Sequence, residues 1–305
     1  MNSYFNTLCT KGKDKVKDKS IIICGCIRDS AKELKTNIPT IEHICSFFND
    51  YRIIVVENNS RDNTKEVLKQ WSQHNDRVIP LMFDFDESKY DEHITPDGYD
   101  PAFSYRRIAR FVDYRNIYMD YIANKLDMVP NYMTVMDFDL SKIDADGFMT
   151  SFGVDFDWDA VTANGYSYSS ALRRRYHDTY PLFECGMPFV DSLEKIDSYR
   201  WVFESFRKGM PFVRVASAYN GIAIFKASVR KDLRYEMIFN NNGGVEVLCE
   251  HVSIFKQMIE QGHDRIYINP NMELYYQKIS WKLILKVLKR WCAKGDSPRC
   301  AVPVD

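Results

Sequence analysis

Runs of consecutive apolar residues alternate along the chain with longer segments of mixed polarity. The runs lie at residues 21–27, 53–56, 78–82 and 132–136, and predicted helices separate them, the clearest at 103–124. Continuous apolar runs are typical of strands that are buried on both faces, and strands that alternate with helices form parallel sheets. The pattern therefore predicts an α/β domain.

Polar residues follow three of these predicted strands. They are Arg28 after the first strand, Glu57, Asn58 and Asp62 after the second, and Asp137 and Asp139 after the fourth. Ligands of open α/β sheets bind beyond the carboxyl ends of the strands. We therefore expect these side chains to lie around one binding site.

The pair Asp137 and Asp139 carries the most specific chemistry. Side chains of a strand alternate between its two faces, so the two carboxylates should project to the same side. Such oxygen ligands suit Mg²⁺ or Mn²⁺, which usually also take oxygens from a substrate phosphate. Two solvated aspartates at the end of a strand would have the same spacing, and the motif alone leaves both interpretations open.

The segment from Glu57 to Thr64 also has two interpretations. Glu57 can accept hydrogen bonds from a base or a ribose, which would make the segment a nucleoside site. The same residues would also form a plain turn, with Asp62 or Asn63 capping the next helix.

Arg115 lies on the apolar stripe of the predicted helix 103–124, seven residues after Ile108. A buried arginine needs an anionic partner, and a diphosphate or an active-site carboxylate would serve. A structural ion pair, or a side chain that extends to solvent, is the alternative. Arg107 and Arg110 lie off the stripe, where they are solvated or line the rim of a site.

Composition limits the class of protein. The chain has 305 residues, 45% of them apolar, and a formal net charge of −1, which argues against a nucleic-acid partner. No run reaches the roughly 18 apolar residues of a membrane span. Most of the eight cysteines lie in apolar segments, as free thiols do, so we expect a reducing, cytoplasmic compartment.

The two ends of the chain differ from the middle. Residues 1–19 are polar and rich in lysine, which predicts a flexible leader. Residues 279–305 contain a basic amphipathic helix at 280–293, with Trp281 and Leu285 on one face and Lys282 and Lys289 on the other. Such a helix either contacts a membrane surface peripherally or packs on the core with a solvated basic face.

Four segments together resemble a known family. The residues are Glu57-Asn58-Asn59-Ser60, Arg107-Ile108-Ala109, Arg115-Asn116 and Asp137-Phe138-Asp139, in that order along the chain. They resemble the GT-A fold of nucleotide-sugar glycosyltransferases, and more specifically the fungal capsule-associated α-mannosyltransferases and their bacterial and viral relatives. The fungal proteins tend to carry Asn-Asp at the last motif, so donor sugar and linkage do not carry over.

The resemblance implies a GT-A (Rossmann-like) domain over residues 20–278, with a mixed, mostly parallel sheet flanked by helices. It implies Mn²⁺ or Mg²⁺, a nucleoside-diphosphate sugar as donor, and a glycan or glycolipid acceptor. The donor sugar would lie near Asn220 and Gly221. Glu250 occupies the position of an acidic catalytic residue, and His251 is a candidate third metal ligand.

Two other functions share parts of this pattern. A phosphatase of the haloacid-dehalogenase type also places Asp-x-Asp after an apolar strand, but near the N-terminus and with Thr or Val where this chain has Ser141. A catalytically inactive, glycan-binding protein would keep the fold, although intact Asp137, Asp139 and Glu250 argue against it.

Overall fold

The computed structural model describes residues 3–169, 172–229 and 233–276, together with the single positions 284, 285 and 289. Its helices are α1 (Ser3–Lys15), α2 (Ala31–Cys45), α3 (Thr64–His74), α4 (Tyr105–Asn124), α5 (Ala145–Met149), α6 (Leu193–Val202) and α7 (Glu250–Glu260). Short 3₁₀ turns lie at Ser88–Tyr90, Pro101–Phe103, Thr150–Phe152 and Ala227–Val229.

Most strands belong to one large mixed sheet. The strands are β1 (Ser20–Ile27), β2 (Asp50–Asn58), β3 (Val78–Phe83), β4 (Tyr132–Met136), β5 (Lys142–Ile143), β6 (Ala160–Tyr168), β7 (Arg174–Tyr176), β8 (Val213–Val215), β9 (Ile222–Lys226), β10 (Phe239–Asn242), β11 (Val245–Val247) and β12 (Ile266–Tyr275). The sheet order is β3-β2-β1-β4-β9-β6-β12-β5, with β7 paired to β6 and β8 paired to β12. A separate antiparallel hairpin joins β10 and β11.

The strands β1, β2, β3, β4, β6 and β12 run in one direction, and β5, β7, β8 and β9 run in the other. The predicted fold class, an α/β fold with a mixed, mostly parallel sheet flanked by helices, is confirmed.

Side chains of the central strands alternate between two cores. Ile21 and Ile23 of β1 belong to a core that includes residues of α1, α2 and α3, whereas Ile22 and Cys24 belong to one that includes residues of α4 and α7. Burial on both faces explains why these strands are continuously apolar. It also leaves the carboxyl ends of β1, β2 and β4 as the place for polar groups.

The prediction of a flexible leader over residues 1–19 is wrong for Ser3–Lys15, which form α1. Gly12 brings the helix against the turn after α5, since a Cβ on it would lie 1.9 Å from the carbonyl oxygen of Met149. Leu8, Cys9 and Val16 are buried, and Lys11 pairs with Asp155. The lysines therefore lie on the polar face of a packed helix.

Residues 240–244 lie in the β10–β11 hairpin, and α7 begins at Glu250. The predicted basic helix 280–293 lies outside the described residues except for positions 284, 285 and 289. Among the helices described, none combines the length and apolar character that crossing a bilayer requires.

Candidate active site

A cavity of about 510 Å³ opens at the carboxyl ends of β1, β2 and β4. Eight of the residues predicted for the site line it. They are Arg28, Asn58, Arg107, Arg115, Asp137, Asp139, Glu250 and His251. Arg110, expected at the rim, lines it as well. The parallel register of the strands brings these residues together from segments more than 200 positions apart in sequence.

Asp137 and Asp139 both face the cavity because Phe138, between them, is buried in the core. The Nδ2 of Asn37 donates to the carbonyl oxygens of Phe138 and Leu140, at 3.1 and 2.7 Å, and fixes the turn in which Asp139 lies. Gly25 of β1 lies against this turn, since a Cβ there would approach the carbonyl oxygen of Met136 to 2.0 Å.

The Asp137 carboxylate is held by two tyrosines. The hydroxyls of Tyr219 and Tyr276 donate to its two oxygens at 2.8 and 3.2 Å. Burial, with the neighbouring charge of Asp139, raises the pKa of Asp137 to about 7. Because the two carboxylates line the same cavity and each disfavours the charge of the other, this part of the cavity is a favourable place for a cation.

The donor set fits a divalent cation that shares its ligands with a substrate. Asp139 is exposed to the cavity, and no side-chain hydrogen bond to its carboxylate is present among the described residues. Mg²⁺ is commonly held by one or two carboxylates and completed by phosphate oxygens and water. No group of three or more potential His, Cys, Asp or Glu ligands occurs in the described part of the chain, so the two aspartates would need such a partner.

His251 is not gathered with the aspartates into a metal group. Its ring stacks on Tyr219, with centroids 3.6 Å apart, and its Nε2 is buried without a hydrogen-bond partner. Burial, with the charge of Arg115, lowers the pKa of His251 well below its usual value. The imidazole is therefore neutral, and its Nε2 lies 3.7 Å from Oε1 of Glu250.

Arg115 is buried, as its place on the apolar stripe predicted, and its partner is the carboxylate of Glu250, which also lines the cavity. Its Nε donates to Oε1 of Glu250 at 2.9 Å, and its Nη2 lies 4.0 Å from Oδ1 of Asp137. The Nη1 has no hydrogen-bond partner. The guanidinium therefore lies between the carboxylates of Glu250 and Asp137, and its Nη1 remains available to donate a hydrogen bond.

Glu250 is the first residue of α7, and its side chain is also buried. Apart from Arg115, its carboxylate has the Cys249 thiol at 3.5 Å and Nε2 of His251 at 3.7 Å. Asp178 lies on the same side of the cavity, and burial, with the charge of Glu250, raises the pKa of Asp178 to about 6. One face of the cavity therefore carries carboxylates that could accept a proton.

Four predicted site residues lie behind the cavity wall. Glu57 is fully buried, with Oε1 accepting from the backbone N–H of Ser60. Asp62 accepts from the backbone N–H groups of Ala31 and Thr64, and so fastens the start of α2 to the turn after β2. Both oxygens of Asp62 and Oε1 of Glu57 accept from the backbone, as in the turn interpretation, whereas Oε2 of Glu57 is buried without a hydrogen-bond partner.

Asn220 and Gly221 shape the floor of the site. Asn220 has a φ of 56°, donates to the carbonyl oxygen of Gly165 and accepts from the N–H of Asp178. Gly221 has a φ of 95°, and a Cβ there would lie 2.6 Å from the Tyr276 hydroxyl. They position Asp178 and Tyr276 and do not themselves line the cavity.

The sequence patterns missed Glu87 and several aromatic residues. Glu87 accepts from Arg28 at 2.9 Å, from Arg110 at 3.0 Å and from the Tyr114 hydroxyl at 2.8 Å. These interactions hold two arginines at the cavity wall. Glu87 lies in an acidic loop, and nothing in its neighbours distinguishes it from the other acids there. Tyr219 could have been predicted as a site residue, because it directly precedes Asn220 in the sequence.

Residues 20–89 match the family model of Glycosyl transferase family 2. The matched segment runs from β1 to the turn that contains Glu87, and it includes Arg28 and Asn58. No curated protein matches the chain in sequence.

Several solved structures are similar in overall shape at very low identity. Mannosyltransferase PcManGT from Pyrobaculum calidifontis, in complex with GDP-Man and Mn²⁺, is 9% identical with a TM-score of 0.44, over 97% of this chain and 74% of that one. TarS of S. aureus is 10% identical with a TM-score of 0.46, over 90% and 39%. Glucosyl-3-phosphoglycerate synthase from Mycobacterium tuberculosis, with Mn²⁺, UDP and phosphoglyceric acid, is 9% identical with a TM-score of 0.41, over 99% and 84%.

Proposed function

We propose that the protein is a metal-dependent glycosyltransferase of the GT-A type, which moves a sugar from a nucleoside-diphosphate sugar to a hydroxyl acceptor such as a glycan or glycolipid. One observation carries the proposal. The carboxylates of Asp137 and Asp139 share a cavity with four arginines, and the same cavity is lined by Arg28 and Asn58 of the segment 20–89, which matches Glycosyl transferase family 2. A bound cation would neutralise the two aspartates, and the diphosphate of a donor would neutralise the arginines.

The donor would bind through its diphosphate. Mn²⁺ or Mg²⁺ held by Asp137 and Asp139 would supply positive charge as the leaving nucleoside diphosphate becomes more negative. Arg28, Arg107 and Arg110 line the same cavity and bind phosphate oxygens, while Asn58, at the end of β2, contacts the nucleoside. The free Nη1 of Arg115 is a further donor for the leaving oxygen.

Glu250 is the candidate base on the acceptor side. In an inverting reaction the acceptor oxygen forms a bond to the anomeric carbon, the bond from that carbon to the phosphate oxygen breaks, and the acceptor proton passes to Glu250. In a retaining reaction the departing phosphate takes the proton, and Glu250 would serve to position the sugar.

No observation favours the phosphatase alternative, and the match of residues 20–89 to a glycosyltransferase family opposes it. The six described cysteines are free, which agrees with the proposed cytoplasmic location. Peripheral contact with a membrane would depend on the predicted helix 280–293, of which three positions are described.

Thermal unfolding in the presence of nucleoside diphosphates tests the proposal. A ligand that binds only the folded protein raises the unfolding midpoint, by an amount that grows with its concentration relative to Kd. We expect one nucleoside diphosphate to raise the midpoint together with Mn²⁺ and much less with a chelator. A midpoint that none of the common nucleoside diphosphates changes, with or without Mn²⁺, would contradict the proposed function.

A further inference from the structure

Two arginines beside the cavity form no ion pair with a carboxylate among the described residues. They are Arg175 on β7 and Arg200 on α6. Nε of Arg175 donates to the Ser167 hydroxyl at 3.1 Å, and Arg200 makes no hydrogen bond or ion pair within the described chain. The neighbouring arginines are different, since Arg173 pairs with Glu204 and Arg174 pairs with Glu273.

The two arginines lie on elements that pack against each other. The helix α6 packs against β7, and the Nε of Arg200 is buried there without a partner. Burial, and after it the charge of Arg200, lowers the pKa of Arg175. The charge of Asp197 opposes this shift more weakly, so the two positive charges in this partly buried region are incompletely compensated, and an anionic ligand would be stabilising there.

The arginine pair borders the cavity at His177. Tyr176 points into the core, so Arg175 and His177 project from the opposite face of the chain, about 7 Å apart along it. His177 lines the cavity, and its ring stacks on Tyr276 with centroids 3.5 Å apart. Burial and the charges of Arg175 and Arg200 lower the pKa of His177 to about 4.

We propose that Arg175 and Arg200 bind a phosphate or carboxylate group carried by the acceptor. The inference rests on the proposed glycosyltransferase function, because it identifies the second substrate of the same cavity. Guanidinium groups bind such oxyanions with paired, charge-assisted hydrogen bonds. The pair adjoins Asp178, on the side of Glu250, whereas Arg28 and Asn58 lie at the ends of β1 and β2. The acceptor is therefore an anionic hydroxyl compound.

Binding of inorganic phosphate tests the subsite directly. The variant Arg175→Gln/Arg200→Gln is compared with wild type and with Arg173→Gln/Arg207→Gln, which removes the same charge from two exposed arginines nearby. We expect calorimetry to give similar phosphate affinities for wild type and control, and an affinity roughly tenfold or more weaker for the first variant. Equal affinity in all three proteins, or an equal loss in the control, would overturn the proposal.

Thermal unfolding separates a lost site from a damaged fold. Without phosphate, the Arg175→Gln/Arg200→Gln variant should unfold at or above the wild-type midpoint, because two unpaired like charges are gone. Phosphate should then raise the midpoint of wild type and control but not of this variant. A variant that unfolds well below wild type without phosphate would show that the arginines support the fold, and would overturn the proposal.

Acceptor kinetics distinguish phosphate from carboxylate. Glycerol 3-phosphate, glycerate and glycerol share a hydroxyl skeleton, and we expect wild type to use one of the two anions with a kcat/KM at least tenfold above that for glycerol. The anion preferred identifies the group, and the preference should vanish in the Arg175→Gln/Arg200→Gln variant. A kcat/KM for glycerol above that for both anions would overturn the proposed anion subsite. Failure of the proposed function itself is distinguishable, because no nucleoside diphosphate with Mn²⁺ would then raise the unfolding midpoint of wild type.

Discussion

Arg115 and Glu250 form the buried ion pair around which the cavity is built. Both side chains are almost fully excluded from solvent, with relative exposures of 6% and 5%. Breaking a buried pair by removing one partner is costly because the other charge remains without compensation. Stability and activity therefore need to be measured separately for every variant of this pair.

The first prediction concerns Arg115→Lys. A lysine keeps the charge but cannot donate to Glu250 and also reach toward Asp137, so turnover should fall by about tenfold or more. Arg106→Lys, on the exposed face of the same helix, is the matched control and should keep full activity. Activity is measured per folded molecule. If the folded fraction of Arg115→Lys is fully active, the pair has a structural role alone.

The second prediction concerns Glu250→Gln. If the enzyme inverts, turnover should fall by about 10²–10⁴ because the general base is removed, while nucleotide affinity stays nearly unchanged. If it retains, the variant should keep substantial activity or fail through weaker donor binding. NMR of the new linkage, recorded beside the kinetics, separates the two cases. An inverted product formed at full rate by Glu250→Gln would exclude Glu250 as the base.

At the scale of elements, α1 is the least expected part of the fold. Its lysines dominate the composition of the segment, and a flexible leader was the natural prediction. The features that dock the helix are Gly12 and Gly153, where a Cβ would lie 1.9 Å from the carbonyl oxygens of Met149 and Leu8 respectively. Such a close backbone approach depends on the partner segment and has no local sequence pattern.

The third prediction tests this contact with Gly12→Ala. Inside a helix this change alone should stabilise by about 1 kcal/mol. Because Met149 blocks the space of the new methyl group, we expect a net destabilisation of about 1–3 kcal/mol in urea unfolding. Thr10→Ala, at an exposed position of α1, is the control and should have little effect. An unchanged or raised stability for Gly12→Ala would mean that α1 does not pack here.

At the scale of the molecule, apolar runs were sufficient to predict the central parallel strands, because burial on both faces leaves a continuous apolar pattern. Because ligands bind beyond the carboxyl ends of such strands, the sequence also predicted that Arg28, Asn58, Asp137 and Asp139 meet at one site. Glu87, His177 and Tyr276 escaped prediction because they reach the cavity from loops whose course is set by distant contacts. For Glu57 and Asp62 the sequence left a ligand site and a plain turn open. Three of their four carboxylate oxygens accept from the backbone, and sequence alone does not separate these two uses.

The central claim is that Asp137 and Asp139 hold a divalent cation together with a nucleoside diphosphate. Electron paramagnetic resonance of Mn²⁺ reports bound and free metal directly. We predict that wild type binds Mn²⁺ much more tightly with the nucleoside diphosphate than without it, because two carboxylates alone make an incomplete site. Asp139→Asn should lose this gain, whereas Asp76→Asn, at an exposed position outside the cavity, should keep it. Mn²⁺ binding that is equal in wild type and Asp139→Asn, with nucleotide present, would contradict the account.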